Sequence, residues 1–248
     1  MMKKLLLLLT LVCVLFSNEV IITSKDGFEL HGWLSKPKTS EQAHPIMLFA
    51  HQFGADHQTW SELAKKFNAK GFATLNVDLR GHGKSIYQKK KENKVITPTN
   101  VESIKNALFE SDSLVGFKNI PEDLQAWLEY ASNDKGLDMD KLYLFGSSLG
   151  GGSIIPLLNE YDAKALVTLS AGKQKALEED LNMALSTSMT KELFIASKDD
   201  PLGAATRALE YANKSIRGTS LIISGSGHGT VMLPQVENYI FSFIDGIR

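Results

Sequence analysis

The chain has 248 residues, a net charge of −1, 43% hydrophobic residues and 22% charged residues. This length fits one α/β domain with a sizeable core, and this composition is that of an ordered globular protein rather than a disordered one. A net charge near zero gives no reason to expect nucleic acid or an anionic membrane as a partner.

The first residues have the layout of a secretory signal peptide. Lys3 and Lys4 precede a predominantly apolar run from Leu5 to Phe16, and polar residues follow from Ser17 onward. A positive segment, a short apolar core and a polar exit are typical of such signals, and spanning a bilayer takes about 20 apolar residues. We expect residues 1–17 to be cleaved, no stable membrane insertion after cleavage, and a periplasmic or secreted protein.

Two alternatives stay open for this segment, which are retention as an N-terminal anchor and lipidation at Cys13. Cys13 is the only cysteine of the chain, and Val12 stands before it where lipoprotein signals carry a small residue. The region that follows, residues 18–248, contains no cysteine. This excludes disulfides, thiol catalysis and cysteine-ligated metal from that region.

The first predicted elements after this segment form an antiparallel hairpin. Val20–Thr23 and Phe28–Leu34 have the pattern of two strands, and Asp26-Gly27 is a good hairpin turn. Short apolar runs follow at Ile46–Ala50, Phe72–Val77, Leu142–Phe145, Ala165–Leu169, Leu193–Ala196 and Leu221–Ile223. Helical periodicity occurs at Trp60–Phe67, Leu124–Ala131 and Val236–Ile247. Apolar strands that alternate with helices predict a doubly wound, mostly parallel sheet in a single α/β domain, residues 18–248.

Residues 86–116 interrupt this alternation. They contain the run Lys89-Lys90-Lys91 and a weak helical piece around Ile104–Phe109. A solvated loop is the expected structure for a run of like charges, and a rim that attracts anions is the alternative.

A serine-containing turn follows the strand that ends at Phe145. Residues 146–150 read Gly-Ser-Ser-Leu-Gly, and a helical segment comes next. A serine at the tip of a sharp, strained turn needs residues without side chains two positions away on either side, because strand and helix approach closely there. The hydroxyl then projects beyond the carboxyl ends of the strands, where open α/β sheets bind ligands. The spacing selects Ser148 rather than Ser147 as a nucleophile.

Three motifs together resemble the α/β-hydrolase superfamily, from about residue 19 to the C-terminus. Residues 51–54 read His-Gln-Phe-Gly after a strand, where the family usually has His-Gly-x, so Gln52 is a departure. Residues 78–85 match the family's Asp-x-Arg-Gly-x-Gly-x-Ser, and the serine turn is the third motif. The resemblance implies the α/β-hydrolase fold and a catalytic triad in the chain order Ser, Asp, His.

The resemblance also implies which residues complete the triad. The family places its catalytic histidine in a glycine-flanked loop after the last strand, which is His228 here. It places the acid after the preceding strand, where both Asp199 and Asp200 are within reach and the loop position favours Asp200. The acid would fix the tautomer of His228 and stabilise the imidazolium. For His51 and His82 we expect hydrogen bonds that fix turns.

Negative charge that develops on a substrate oxygen needs preorganised donors. By the resemblance these are the backbone N–H of Leu149, which follows the nucleophile, and that of Phe53. The expected reaction is two-step acyl transfer, in which Ser148 attacks a carbonyl while His228 moves the proton. A carboxylic ester, free or as an acyl group on a larger molecule, is the expected substrate because esters need less leaving-group help than amides.

No cofactor and no metal are expected in this reaction. The glycines at 150–152 are not followed by the lysine that a P-loop requires. His51, Asp56 and His57 are close in sequence, but their spacing matches no helical pair of metal ligands.

Residues 172–191 leave too little room for a large cap domain, so we expect an open site with residues 86–116 as the nearest flap. Two other functions stay open. One is a non-catalytic binding protein of the same fold, and the other is a serine peptidase or thioesterase.

Overall fold

The computed structural model describes residues 17–39, 43–100 and 102–247. The proposed signal peptide therefore lies outside the described residues, apart from Ser17, and stays a prediction. Among the helices of the described ranges, none combines the length and the apolarity needed to cross a bilayer.

The described residues form ten strands and seven α-helices. The strands are β1 (Asn18–Thr23), β2 (Phe28–Ser35), β3 (His44–Ala50), β4 (Ala73–Val77), β5 (Tyr87–Gln88), β6 (Lys91–Glu92), β7 (Leu137–Ser147), β8 (Ala165–Leu169), β9 (Lys191–Ser197) and β10 (Gly218–Ile223). The helices are α1 (Ser61–Ala69), α2 (Ile104–Val115), α3 (Ile120–Ser132), α4 (Ser148–Ile154), α5 (Glu178–Thr187), α6 (Ala204–Lys214) and α7 (Leu233–Asp245).

All ten strands form one mixed sheet in the order β10-β9-β8-β7-β3-β4-β2-β5-β6, with β1 also paired to β2. The pairs from β10 to β4 are parallel, and the pairs made by β2 with β1, β4 and β5 are antiparallel. This confirms the predicted α/β fold with an antiparallel N-terminal hairpin. The carboxyl ends of β3, β7, β8, β9 and β10 meet at one edge of the sheet, where the site described below lies.

Alternate residues of each central strand enter two separate hydrophobic cores, one on each face. In β3, Ile46 and Leu48 pack into the core that includes Trp127 of α3, whereas Met47 and Phe49 pack into the other core. Helices α3, α4, α5 and α6 cover the first face, and α1 and α7 cover the second. Burial on both faces explains why these strands are continuous apolar runs in the sequence.

The segments that break the strand–helix alternation are small. Between β8 and β9 the chain forms a 3-10 turn at Lys175–Leu177 and then α5, so the described chain carries no large cap there. Residues 86–116 form the β5–β6 hairpin and α2. The hairpin was not predicted, and its tip residues, Lys89 and Lys90, have φ angles of 49° and 67°. A two-residue hairpin turn of this kind requires positive φ at both positions, which glycine and asparagine adopt more readily than lysine.

Candidate active site

Ser148 lies at the junction of β7 and α4 with a φ of 45°, a left-handed conformation that is strained for a side chain with a Cβ atom. The glycines on either side allow this turn. A Cβ on Gly146 would lie 2.6 Å from the Cα of Gly151, and a Cβ on Gly150 would lie 2.5 Å from the carbonyl oxygen of His51. Strand and helix therefore approach as the Gly-x-Ser-x-Gly spacing predicts.

The structure brings the three predicted triad residues together from three loops. The Nε2 atom of His228 lies 2.8 Å from the Oγ atom of Ser148, and its Nδ1 atom lies 2.8 Å from the Oδ2 atom of Asp200. The side chain of Asp200 is fully buried. Asp199, the alternative left open by the sequence, is exposed. Its backbone N–H donates to the carbonyl oxygen of Gly225 at 2.9 Å.

The carboxylate of Asp200 is held ionised by its hydrogen bonds. Burial alone would raise the pKa of Asp200, but hydrogen bonds from His228 and from the Ser170 hydroxyl outweigh it and hold the pKa below its ordinary value. The backbone N–H of Leu202 donates to the other carboxylate oxygen at 2.8 Å. Asp200 can therefore keep a negative charge behind the imidazole.

Ser170 is a site residue that the sequence reasoning missed. It is fully buried directly after β8, and its hydroxyl donates to Asp200 Oδ2 at 2.8 Å and accepts from the N–H of Gly229 at 3.0 Å. It thereby contacts both the acid and the residue next to His228. Ser170 also has a positive φ of 50°. Its position at the carboxyl end of a parallel strand was the available signal, because ligand sites lie at that edge.

The two predicted oxyanion donors belong to the first turn of α4 and to the loop that follows β3. Leu149 is in the first turn of α4, where backbone N–H groups have no acceptor inside the helix. The N–H of Phe53 makes no hydrogen bond to another described residue, and its ring packs edge-on against His82 and Phe117. Both amides can therefore donate to a bound oxygen.

Gln52, the departure from the family pattern, links two loops of the site. Its side-chain amide donates to the hydroxyl of Thr230 at 2.9 Å, and that hydroxyl lies 3.1 Å from the amide oxygen. Because Thr230 is two residues after His228, this pair joins the loop that carries Phe53 to the loop that carries the base.

The remaining motif histidines fix turns, as expected. Leu79 donates its backbone N–H to Nε2 of His51, whose Nδ1 lies 2.7 Å from the carbonyl oxygen of Gln52. Burial lowers the pKa of His51. Burial and the neighbouring His51 lower the pKa of His82 to about 3, and its Nδ1 lies 3.0 Å from the Arg80 carbonyl oxygen. Both imidazoles are therefore neutral at physiological pH.

Asp56, His57 and Asp78 form the only group in the described ranges whose ligand-type atoms lie close enough to hold a metal ion. These atoms already have protein partners. Asp78 Oδ1 lies 2.8 Å from both the backbone nitrogen and Nδ1 of His57, and Asp56 caps the following 3-10 turn. The His57 ring also stacks on Trp33 with ring centroids 3.3 Å apart. These contacts stabilise the turn that contains Asp56 and His57.

A cavity of about 820 Å³ opens beside Ser148. Its apolar lining includes Leu108 and Phe109 of α2, Phe117 and Leu149, and its charged lining consists of Lys105, Asp112, Lys173, Lys175 and Arg207. The nucleophile turn therefore borders a space that can hold a small organic molecule, and residues 86–116 contribute α2 as one wall.

A hydroxyl, an imidazole and a buried carboxylate in this order can activate the hydroxyl for attack on a carbonyl. The backbone amides of Leu149 and Phe53 remain the predicted donors to the oxyanion that such an attack would form. This arrangement has the parts needed for acyl transfer.

Several solved structures share this fold. Est1E from Butyrivibrio proteoclasticus, bound to ferulic acid, has a TM-score of 0.70 and 18% identity, with 92% of this chain and 98% of that chain covered. The acetyl xylan esterase from Paenibacillus sp. R4 has a TM-score of 0.68 and 15% identity, with 93% and 83% covered. At these identities the likeness establishes the fold alone.

A curated relative is an uncharacterized protein of Mycobacterium tuberculosis, matched in two strains. It is 24% identical over 153 residues, which are 62% of this chain and 45% of the relative. The chain therefore spans less than half the length of the curated relatives it matches.

The family model described as "Serine aminopeptidase, S33" matches residues 41–199, which is more than half of the chain. The matched part contains Ser148 and Ser170 and ends before Asp200 and His228. The α/β-hydrolase fold is the one observed. The chain therefore belongs to the serine aminopeptidase S33 family of α/β-hydrolases.

Proposed function

We propose that the protein is an exported serine hydrolase that cleaves carboxylic esters through an acyl-enzyme on Ser148. One observation carries the proposal. Ser148 Oγ, the two ring nitrogens of His228 and Asp200 Oδ2 form a continuous chain with both contacts at 2.8 Å.

In the first step, Ser148 Oγ bonds to the ester carbonyl carbon while His228 Nε2 takes its proton. The imidazolium then gives that proton to the departing alcohol oxygen, and the carbon–oxygen ester bond breaks. Water repeats the sequence on the acyl-enzyme, with His228 again as base, and releases the acid. Asp200 holds the Nδ1–H tautomer and stabilises the imidazolium throughout.

The amides of Leu149 and Phe53 are the proposed oxyanion donors. Each such donor contributes about 3–4 kcal/mol to transition-state stabilisation. Because both donors are backbone groups, substitutions at these positions act through the shape of the loop rather than through loss of a side-chain donor.

The charges around the cavity favour an ester substrate over a peptide with a free N-terminal ammonium group. An aminopeptidase must hold the α-ammonium of its substrate, which requires negative groups near the nucleophile. The cavity lining contains four basic residues and one acidic residue, Asp112. The Oδ1 atom of Asp112 already accepts a hydrogen bond from the backbone N–H of Phe117 at 2.7 Å.

Export rests on the N-terminal sequence, namely Lys3 and Lys4 followed by the apolar run to Phe16. Determination of the N-terminus of the protein recovered from outside the cytoplasm tests it. A new terminus near Asn18 supports export by a cleaved signal, and a retained Met1 contradicts cleavage.

Covalent labelling tests the nucleophile. We expect a fluorophosphonate probe to label the folded protein and Ser148→Ala to abolish labelling. The same variant should lower kcat/KM for 4-nitrophenyl butyrate by at least about a thousandfold.

Ser147→Ala is the matched control, because its buried hydroxyl has no hydrogen-bond partner in the described part of the chain. It should still be labelled. A folded wild-type protein that resists the probe would favour the non-catalytic binding protein. Labelling that persists in Ser148→Ala would place the nucleophile elsewhere.

A further inference from the structure

Arg207 of α6 contributes a half-buried guanidinium to the wall of the cavity beside Ser148. Its Nε donates to the carbonyl oxygen of Ala171 at 3.0 Å, and its Nη1 donates to that of Leu202 at 2.7 Å. These two bonds fix the orientation of the group. They use two of its five N–H donors and leave the others for a ligand.

No carboxylate forms an ion pair with Arg207 in the part of the chain that the structure describes. The two carbonyl oxygens are neutral, and Glu210, a carboxylate near enough to interact with the charge of Arg207, forms its ion pair with Lys214 instead. Arg80, a fully buried arginine, shows the usual solution, since Asp26 and Asp123 both bind its guanidinium. A fixed, partly desolvated cation that no carboxylate contacts can bind an anion that enters the cavity.

This guanidinium is fastened to the segment that touches the nucleophile turn. Ala171 precedes Gly172, whose backbone N–H donates to the carbonyl oxygen of Ser148 at 2.7 Å. Tyr211, one helical turn after Arg207, donates its hydroxyl to the carbonyl oxygen of Gly172 at 3.1 Å. Helix α6 therefore holds the 171–172 segment at two points and keeps the charge at a fixed place relative to Ser148.

Other cations on the cavity wall add to this potential. Lys105 and Lys175 line the cavity and form no ion pair within the described ranges, whereas Lys173 pairs with Glu178. Asp112 is the one acidic residue of the lining. The lining is thus positive overall, and α2 supplies its apolar residues Leu108 and Phe109 beside Lys105 and Asp112.

We propose that this cavity binds esters that carry a carboxylate, with the free N–H groups of Arg207 as its binding site and the α2 wall as the contact for the hydrocarbon part. The proposal rests on the serine hydrolase function above and names its substrate class. A planar guanidinium suits a carboxylate, because two parallel N–H groups can bind its two oxygens.

Paired esters test the proposal on both halves of a substrate. For the acyl half, the mono-4-nitrophenyl ester of glutaric acid is compared with 4-nitrophenyl pentanoate, in which a methyl group replaces the carboxylate. For the alcohol half, 4-acetoxybenzoate is compared with 4-acetoxybenzamide. In at least one arm, wild type should prefer the acidic ester in kcat/KM, and that preference should fall about tenfold or more in Arg207→Gln, mainly through KM. The arm that responds identifies the half of the substrate that carries the carboxylate.

Two further variants and a salt series sharpen the result. Arg207→Lys keeps the positive charge but lacks the two parallel N–H groups of the guanidinium, so its preference for the acidic ester should lie between those of Arg207→Gln and wild type. Arg217→Gln removes an exposed arginine at the opposite edge of the sheet and should leave the preference unchanged. Added sodium chloride should weaken the preference in wild type.

The proposal is overturned if, in both arms, the ratio of kcat/KM for the acidic ester to kcat/KM for the neutral ester is the same in wild type and in Arg207→Gln. It is also overturned if Arg207→Gln lowers kcat/KM equally for both esters of a pair. Where turnover of these esters is too slow, 4-phenylbutyrate should slow fluorophosphonate labelling of Ser148 more than 4-phenylbutyramide does, and this difference should vanish in Arg207→Gln. Absence of any difference in wild type also overturns it. Labelling without acid preference removes only the substrate class, whereas no labelling removes the hydrolase function as well.

Discussion

At Asp200 a single carboxylate oxygen accepts two hydrogen bonds, one from His228 and one from Ser170. The hydroxyl of Ser170 also accepts the N–H of Gly229, so it fixes the acid and the backbone beside the base at once. We regard Ser170 as a positioning residue, since it acts through Asp200 and His228. Its left-handed φ shows that the chain accepts local strain to place this hydroxyl.

Ser170→Ala should lower kcat for 4-nitrophenyl butyrate by about tenfold, because loss of the donor weakens the orientation of Asp200. The lost hydrogen bond also raises the pKa of Asp200, so the loss of kcat that follows protonation of Asp200 at acidic pH should begin at higher pH. Steady-state kinetics between pH 4 and pH 9 measure both effects.

Thr168→Val is the control on the same strand, because the Thr168 hydroxyl is buried without a hydrogen-bond partner in the described part of the chain. It should leave kcat and the pH profile unchanged. A purely structural role for Ser170 would show as a loss of stability with an unmoved pH profile.

The residue-level predictions depended on local patterns in the sequence. Ser148 was recognisable because the turn imposes glycines at fixed distances from it. The family resemblance pointed to His228 and Asp200 in the loops after two strands, and the structure brings His228 into contact with both Ser148 and Asp200. Ser170 and Arg207 have no local signature, since their importance comes from neighbours about 30 residues away that only the fold brings close.

At the scale of elements, a buried ion pair joins the loop after β4 to α3. Arg80 donates to both oxygens of Asp123, at 2.6 and 2.7 Å, and both side chains are almost completely buried. Arg80 also donates to the Val115 carbonyl oxygen at the end of α2. The pair therefore fixes the helix that forms one wall of the cavity.

Asp123→Leu should destabilise the protein by about 3 kcal/mol, because it leaves Arg80 buried with only the partly exposed Asp26 as counter-ion. Urea unfolding followed by circular dichroism measures the free energy of unfolding. Lys36→Met breaks the exposed Lys36–Asp134 pair and should cost less than about 1 kcal/mol. Equal costs for the two variants would contradict the assignment of the buried pair as a structural link.

The β5–β6 hairpin shows a limit of element prediction. Its two-residue strands are too short to give a periodic pattern in the sequence. Its turn is occupied by Lys89 and Lys90, whereas glycine or asparagine at these positions would have predicted a hairpin turn. The central strands and helices were predictable because burial on one or two faces imposes a period on the sequence.

At the scale of the whole molecule, a carboxyl group buried in β9 gives stability a dependence on pH. Glu192 is fully buried, and burial raises its pKa to about 7, against a hydrogen bond from Ser215 that lowers it. Between its unfolded pKa near 4.5 and its folded pKa near 7, the folded protein binds a proton that the unfolded chain has lost. Stability from this group is therefore present at low pH and lost as pH rises through this window.

Glu192→Gln should remove this dependence. Relative to the variant, the wild type should lose about 3 kcal/mol of unfolding free energy between pH 4.5 and pH 7.5, since each pKa unit corresponds to about 1.4 kcal/mol. Urea unfolding of both proteins at four pH values measures the difference. Parallel pH curves for the two proteins would show that Glu192 is ionised in the folded state.

The link between Gln52 and Thr230 has a mechanical consequence. A glycine at position 52 would lack this link between the Phe53 loop and the His228 loop, whereas the side-chain amide of Gln52 joins them. Anything that pushes one loop outward, such as a bulky acyl group, must drag the other with it. Opening of the pocket therefore displaces Phe53 and His228 in the same movement.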